Sequence, residues 1–224
     1  MKDISSKARI PDIATNALQG LLDRAGAVLY SSHETIQPGS IYLMGLNPGG
    51  CGGGPSLRER IAGLLANESN AYMDEAWENE RGSYEPGEAP LQRRVKWLLS
   101  NLGVNPRDVL SSNLIFVQSR DATGVSFDLA KQCWPVHEAL LSIVKPRLIL
   151  AFGNSGFSPY GFLHSLYGGE QRFGIAGHGN WSLKGFSADI LDNRVFVAGL
   201  PHLSRYCPID KQHVIRWIMN EGRT

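Results

Sequence analysis

Four short, largely apolar runs punctuate the chain: about Ile41 to Leu46, Val109 to Val117, Leu148 to Phe152 and Val195 to Gly199. Runs of this length, rich in β-branched and aromatic residues, read as strands buried on both faces. Between them apolar residues recur at helical spacing. Ile13, Leu18, Leu21 and Leu22 follow Pro11-Asp12, and Leu57, Ile61, Leu64 and Leu65 follow Pro55. Ser56 and Glu59 have the spacing of a capping box, which marks the start of that helix. Pro90 opens a third helix, with Leu91, Val95, Leu98, Leu99 and Leu102 on one face and Gly103 as its stop. Residues 127–144 are helical, with a bend or restart expected at Trp134-Pro135. Pro208 is expected to start a last helix through Ile209, Val214, Trp217 and Ile218. The Gly-rich stretch 168–185 reads as a loop or hairpin, and 67–90 as a loop or lid. Strands alternating with helices predict an α/β fold, a three-layer α/β/α sandwich with a central, mainly parallel four-stranded sheet. No repeat or long linker interrupts it, so residues 1–224 are expected to form one domain.

Composition adds few constraints. At 42% hydrophobic and 19% charged, the chain is ordinary for a soluble protein, and no apolar run is long enough to span a bilayer. Met1 to Arg9 lacks the apolar stretch of a secretory signal. Cys51, Cys133 and Cys207 are scattered and odd in number, which argues against a disulfide framework or a four-cysteine metal site. A cytoplasmic location, with no membrane association, is the expectation. Net charge is +1, so nothing marks the whole protein as a nucleic-acid coat. The distribution is uneven. Residues 67–90 hold Glu68, Asp74, Glu75, Glu78, Glu80, Glu85 and Glu88 against Arg81 alone. Residues 194–224 hold Arg194, Arg205, Lys211, Arg216 and Arg223 against Asp210 and Glu221, which reads either as a solvated surface or as a phosphate-binding face.

Two motifs sit where catalytic groups of open α/β sheets collect, just past the carboxyl ends of strands. The first run leads into Gly45-Leu46-Asn47-Pro48-Gly49, and the last into Leu200-Pro201-His202-Leu203-Ser204-Arg205-Tyr206. Asn47 reads either as a turn residue closing a strand or as an amide able to orient a water, though not to act as a strong base. His202 reads either as a hydrogen-bonded structural residue or as a donor aimed at developing charge. Asn113, in the middle of the second predicted strand, is a polar residue that burial would penalise unless it is paired.

Together the two motifs resemble the signature motifs of the uracil-DNA glycosylase superfamily. Its most active branch has Asp at the position of Asn47. The mismatch-specific and single-strand-selective branches have Asn there, and their Gly-x-Asn-Pro-Gly turn matches residues 45–49. The resemblance implies that Asn47 positions a water, with Gly45, Leu46, Pro48 and Gly49 around the base. Gly49 stands where the uracil-specific branch carries a tyrosine that blocks 5-substituted pyrimidines, which implies an open pocket. His202-Leu203-Ser204-Arg205 is similar to the family's His-Pro-Ser-Pro, with the serine kept and both prolines replaced. His202 would then stabilise the departing base anion at its O2, and Asn113, within Ser112-Asn113-Leu114-Ile115, would read the base edge. Ser204, Arg205 and Tyr206 would contact DNA, Tyr206 as the wedge that fills the gap left by a flipped base. A stacking aromatic is also implied, with Tyr72, Trp77 and Tyr84 as candidates. The activity implied is that of a metal-free, cofactor-free, monofunctional DNA glycosylase, acting as a monomer on DNA that holds a deaminated or damaged base.

Other chemistries fit the residues less well. Ser155, Asp189 or Asp192 and His202 occur in the chain order of an α/β-hydrolase triad, but Gly153-Asn154-Ser155-Gly156-Phe157 puts the second glycine of the elbow one residue early. The glycines around Cys51 lack the Gly-Lys-Ser/Thr end of a phosphate-binding loop, and nothing nearby would activate the thiol. The rival reading is a non-catalytic member of the same fold that binds nucleic acid or a nucleobase. A protein-interaction module built on the acidic segment is the third.

Overall fold

The computed structural model describes residues 4–50, 53–79, 82–120 and 124–223. Cys51, Gly52, Glu80 and Arg81 lie outside the described residues. The chain is α/β, with a mainly parallel six-stranded central sheet flanked by helices. Its helices are α1 (Ile4–Ala8), α2 (Ile10–Ala17), α3 (Leu57–Ala62), α4 (Pro90–Asn101), α5 (Phe127–Val144), α6 (Pro159–Tyr167) and α7 (Gln212–Glu221). The strands are β1 (Ile41–Gly45), β2 (Glu78–Asn79), β3 (Gly82–Ser83), β4 (Leu110–Asn113), β5 (Leu148–Phe152), β6 (Arg172–Ile175), β7 (Ser182–Ile190) and β8 (Asn193–Leu200). The central sheet runs β4-β1-β5-β8-β7-β6, and β2 and β3 form a separate two-residue ribbon in the acidic segment.

The four strands expected from the sequence are the parallel part of the sheet, β4-β1-β5-β8. The expected count of four is corrected to six, because β6 and β7 extend the sheet antiparallel to β8. Those two strands carry one buried face at most (β6 alternates half-buried and exposed), so they lack the continuous apolar signature of the central ones.

The central strands are buried on both faces, and successive residues join opposite cores. Tyr42 and Met44 of β1, Ile149 and Ala151 of β5, and Val195 and Val197 of β8 join one core with α2, α3, α5 and α6. Ile41 and Leu43, Leu150 and Phe152, and Phe196, Ala198 and Leu200 join the other, with α4 and α7. Several helix starts follow their predicted chemistry. Ser56 caps α3 in a complete capping box with Glu59, and α4 begins at Pro90. Others differ. α5 passes through Pro135 as one helix, without a restart. α7 starts at Gln212, four residues later than Pro208 suggested, because 208–211 form a turn in which Lys211 N–H reaches Pro208 O.

The second predicted strand is also shorter than expected. β4 ends at Asn113, which is therefore its last residue and not its middle. Beyond it the chain remains buried, but its backbone turns to new partners: Leu114 and Ile115 donate to Gly45 and Leu46, and Phe116 O accepts from Ala27. Because β1 has β4 on one side and β5 on the other, the chain reverses its direction of progress across the sheet at β1. Ligand crevices of open α/β sheets form at such a switch point.

Candidate active site

Gly45 ends β1 where a side chain has no room, since a Cβ there would run into Asn113 Oδ1 and the Phe152 ring. The motif loop that follows is anchored by the segment after β4. Pro48 is buried, and its carbonyl accepts from Ser119 N–H (3.0 Å) and from Asn47 Nδ2 (2.8 Å). Gln118 Nε2 donates to Gly49 O at 2.8 Å. With Nδ2 turned to the backbone, Asn47 Oδ1 is left as an acceptor to which no described residue donates. Leu46 and Asn47 are half-buried, and Gly49 is exposed with open space where a side chain would project.

Asn113 is in register with Gly45 and only 3% exposed. Its amide lies near the hydroxyl of Tyr30, a residue of the segment lying along the outer edge of β4. Burial pushes the Tyr30 hydroxyl well above the usual phenol range, and the Glu75 carboxylate adds to this, while the nearby Asn113 amide opposes it. Tyr30 packs on Tyr72 (centroids 5.9 Å apart), and Tyr72 on Trp77 (5.8 Å). Tyr72 is a buried core residue, and the Tyr84 hydroxyl is occupied by Asn79 in the small ribbon. Of the three stacking candidates, Tyr72 and Trp77 thus reach the neighbourhood of Asn113 only through Tyr30.

His202 follows β8 by two residues, with its ring edge-on to Phe152 at 5.7 Å. Ser204 N–H points at His202 Nδ1 (3.2 Å), and the Ser204 hydroxyl lies 2.7 Å from the same nitrogen. A backbone N–H can only donate, so Nδ1 is the acceptor and the neutral ring carries its proton on Nε2. Burial holds the His202 pKa below the ordinary histidine value, and the Arg205 charge lowers it further. The site therefore holds a neutral imidazole with one N–H donor to which no described residue offers an acceptor. Arg94 of α4 braces this loop from the side, donating to Leu203 O (2.6 Å) and Ser204 O (2.9 Å).

Ser204 and Arg205 are exposed beside His202. Tyr206 is not available as a wedge: it is fully buried, and its hydroxyl donates to Ala176 O at 2.6 Å. Its ring is part of the core formed with Ala176, just past β6, and with Val214 and Ile215 of α7. Asp189 is also removed from this end of the sheet, paired with Arg194 near the β7–β8 turn.

Phe152, at the end of β5, touches both halves of the arrangement, the Gly45–Asn113 pair on one side and His202 on the other. Neither Phe152 nor Tyr30 was singled out by motif, since an apolar strand end and a loop tyrosine carry no signal of their own. A cavity of about 430 Å³ opens on the far side of His202, between the β5–α6 turn and the β6–β7 hairpin. Neither Asn47 nor Asn113 lines it. A second cavity, about 370 Å³ near Val28, Arg60 and Asn67, holds none of the motif residues. Among the described residues no three His, Cys, Asp or Glu side chains gather as a metal site, and no helix is long and apolar enough to cross a membrane. No family model matches the chain, and no curated protein matches it.

Proposed function

We propose that the protein is a monofunctional DNA glycosylase that hydrolyses the N-glycosidic bond of uracil or a related deaminated base, on a three-layer α/β/α frame. The observation that carries this reading is that a neutral His202 with its proton on Nε2 and the buried amide of Asn113 both stand at the carboxyl ends of parallel strands of one sheet. Phe152 lies between them. Neighbouring strands lie about 4.8 Å apart, so the end of β4, which carries Asn113, and the end of β8, with β1 and β5 between them, stand roughly 14 Å apart across the sheet.

The chemistry follows from the donors and acceptors available. Asn113, held against Tyr30, offers an amide that can match the carbonyl and N–H of a uracil edge. As the C1′–N bond breaks, its electron pair moves into the base, and negative charge grows on O2. A hydrogen bond from His202 Nε2 strengthens with that charge, which lowers the barrier, and one such donor accounts for about 2.7–4 kcal/mol. Asn47 Oδ1 accepts a hydrogen bond from a water and orients it towards C1′. The water adds there and its proton is passed to the departing base through solvent. Products are the free base and an abasic deoxyribose. The open space at Gly49 would admit a substituent at the pyrimidine 5-position.

Base release from oligonucleotides carrying uracil, hypoxanthine, xanthine or 5-hydroxymethyluracil, single-stranded and mismatched, tests this reading. The wild type is expected to release at least one of them. Asn47→Ala and His202→Ala should each lose about a hundredfold or more while melting as the wild type does. No release from any lesion at high enzyme excess would replace this reading with a non-catalytic base-binding protein of the same fold.

A further inference from the structure

The cavity beside His202 is built differently from the pocket the motifs describe. Its floor is the turn after β5, where Asn154 Nδ2 donates to Ser182 O (2.8 Å) and Gly199 O (3.0 Å), tying that turn to β7 and β8. Its wall is the β6–β7 hairpin, which brings Trp181 and Lys184 to the rim, and Arg205 closes the side next to His202. No Asp or Glu lines it, and among the described residues neither Lys184 nor Arg205 forms an ion pair. Two uncompensated cations facing one concavity focus a positive field and attract an anion. The indole of Trp181 is 39% exposed, which is unusual for so large an apolar ring, while its other contacts (His178 at 4.7 Å, Tyr206 at 6.4 Å) hold it in place.

A fixed aromatic face beside two free cations is the donor set for a nucleotide: phosphate to the charges, base on the ring. We propose that this cavity receives a nucleotide of a single DNA strand, adjacent to the one whose base enters the site between Asn113 and His202. The phosphate lies between Lys184 and Arg205, and the base stacks on Trp181. A base within a duplex is already stacked on both sides and has no free face to offer, so the site selects unpaired strand. This inference rests on the glycosylase reading only for the continuity of the strand into the His202 site.

The test is binding of a labelled, undamaged oligothymidylate to the full chain over a salt series, with duplex and free thymidine monophosphate as competitors. Single strand should bind more tightly than either competitor. Trp181→Ala should weaken it roughly tenfold, and Trp181→Phe, which keeps a ring, clearly less. Lys184→Gln should make the plot of log affinity against log salt shallower by about 0.7, one phosphate contact. Equal binding by wild type, Trp181→Ala and Lys184→Gln would overturn the proposal, as would duplex or monophosphate binding as tight as single strand, or no binding by the wild type. Base release measured on the same preparations keeps the two readings apart. Strand binding without release removes the catalysis and leaves this site, whereas release with variant-insensitive binding removes this site and leaves the catalysis.

Discussion

Two histidines of this protein have similar chemistry and different tasks, and their partners decide which. His137 is fully buried, with Nδ1 at 2.7 Å from the Tyr42 hydroxyl and Nε2 at 3.1 Å from Leu114 O. A carbonyl can only accept, so Nε2 is the donor and both ring nitrogens are spent on structure. His202 has the same tautomer, set from the other side by Ser204 N–H, but its Nε2–H is left for a ligand. Long-range ¹H–¹⁵N spectra at pH 7 should therefore show His202 Nδ1 unprotonated and Nε2 protonated, with a titration midpoint below the ordinary value of about 6.5. A protonated Nδ1 at neutral pH would rule out the donor role. At this scale the sequence was readable where a residue's neighbours in the chain decide its role. Ser204, two residues on, is close enough to His202 to orient its ring. The sequence misled at Tyr206, whose burial depends on Ala176 thirty residues away.

The geometry of the site belongs to elements more than to residues. The parallel register of β1 with β4 puts Gly45 opposite Asn113, and that of β5 puts the Phe152 ring over the same spot. Gly45→Ala should displace one or both. Overpacking of this kind costs about 1–3 kcal/mol, so a lower Tm is expected together with a larger loss of base release than the stability change explains. Unaltered release would show that the Gly45–Asn113 contact does not position the base. The brace from α4 is of the same type: Arg94 holds the His202 loop by two carbonyls, and nothing in its local sequence marks it among the arginines around it. The parallel strands and the starts of α3 and α4 were legible because apolar runs and capping residues act locally. The end of β4 was not, since it depends on which backbone groups of β1 and of segment 25–27 compete for residues 114–116.

Global stability should carry the signature of His137, which joins β1, α5 and the segment after β4. Burial lowers its pKa to about 4, so the unfolded chain binds a proton that the folded one refuses. Stability is then complete above about pH 6.5 and falls as pH drops towards 4, by up to about 1.4 kcal/mol per unit, with His202 acting in the same direction. Urea midpoints at pH 7 and pH 5 should differ accordingly, and His137→Phe, less stable at pH 7, should show a shallower fall. A wild-type midpoint that does not move between those values would contradict the buried neutral ring. Charge is organised on the same scale, since the acidic segment carries the β2–β3 ribbon while Lys184 and Arg205 face the cavity beside His202. The amino-acid sequence by itself determined the α/β class, the four parallel strands, the capped start of α3, the proline start of α4 and the two motif loops, because hydrophobic periodicity and turn chemistry are short-range. Only the tertiary structure decided the six-stranded sheet, the burial of Tyr206, the meeting of Tyr30 with Asn113, the place of Phe152 and the cavity of Trp181 and Lys184. Those rest on contacts between residues far apart in the chain, whose energies exist only once the strands have chosen their order.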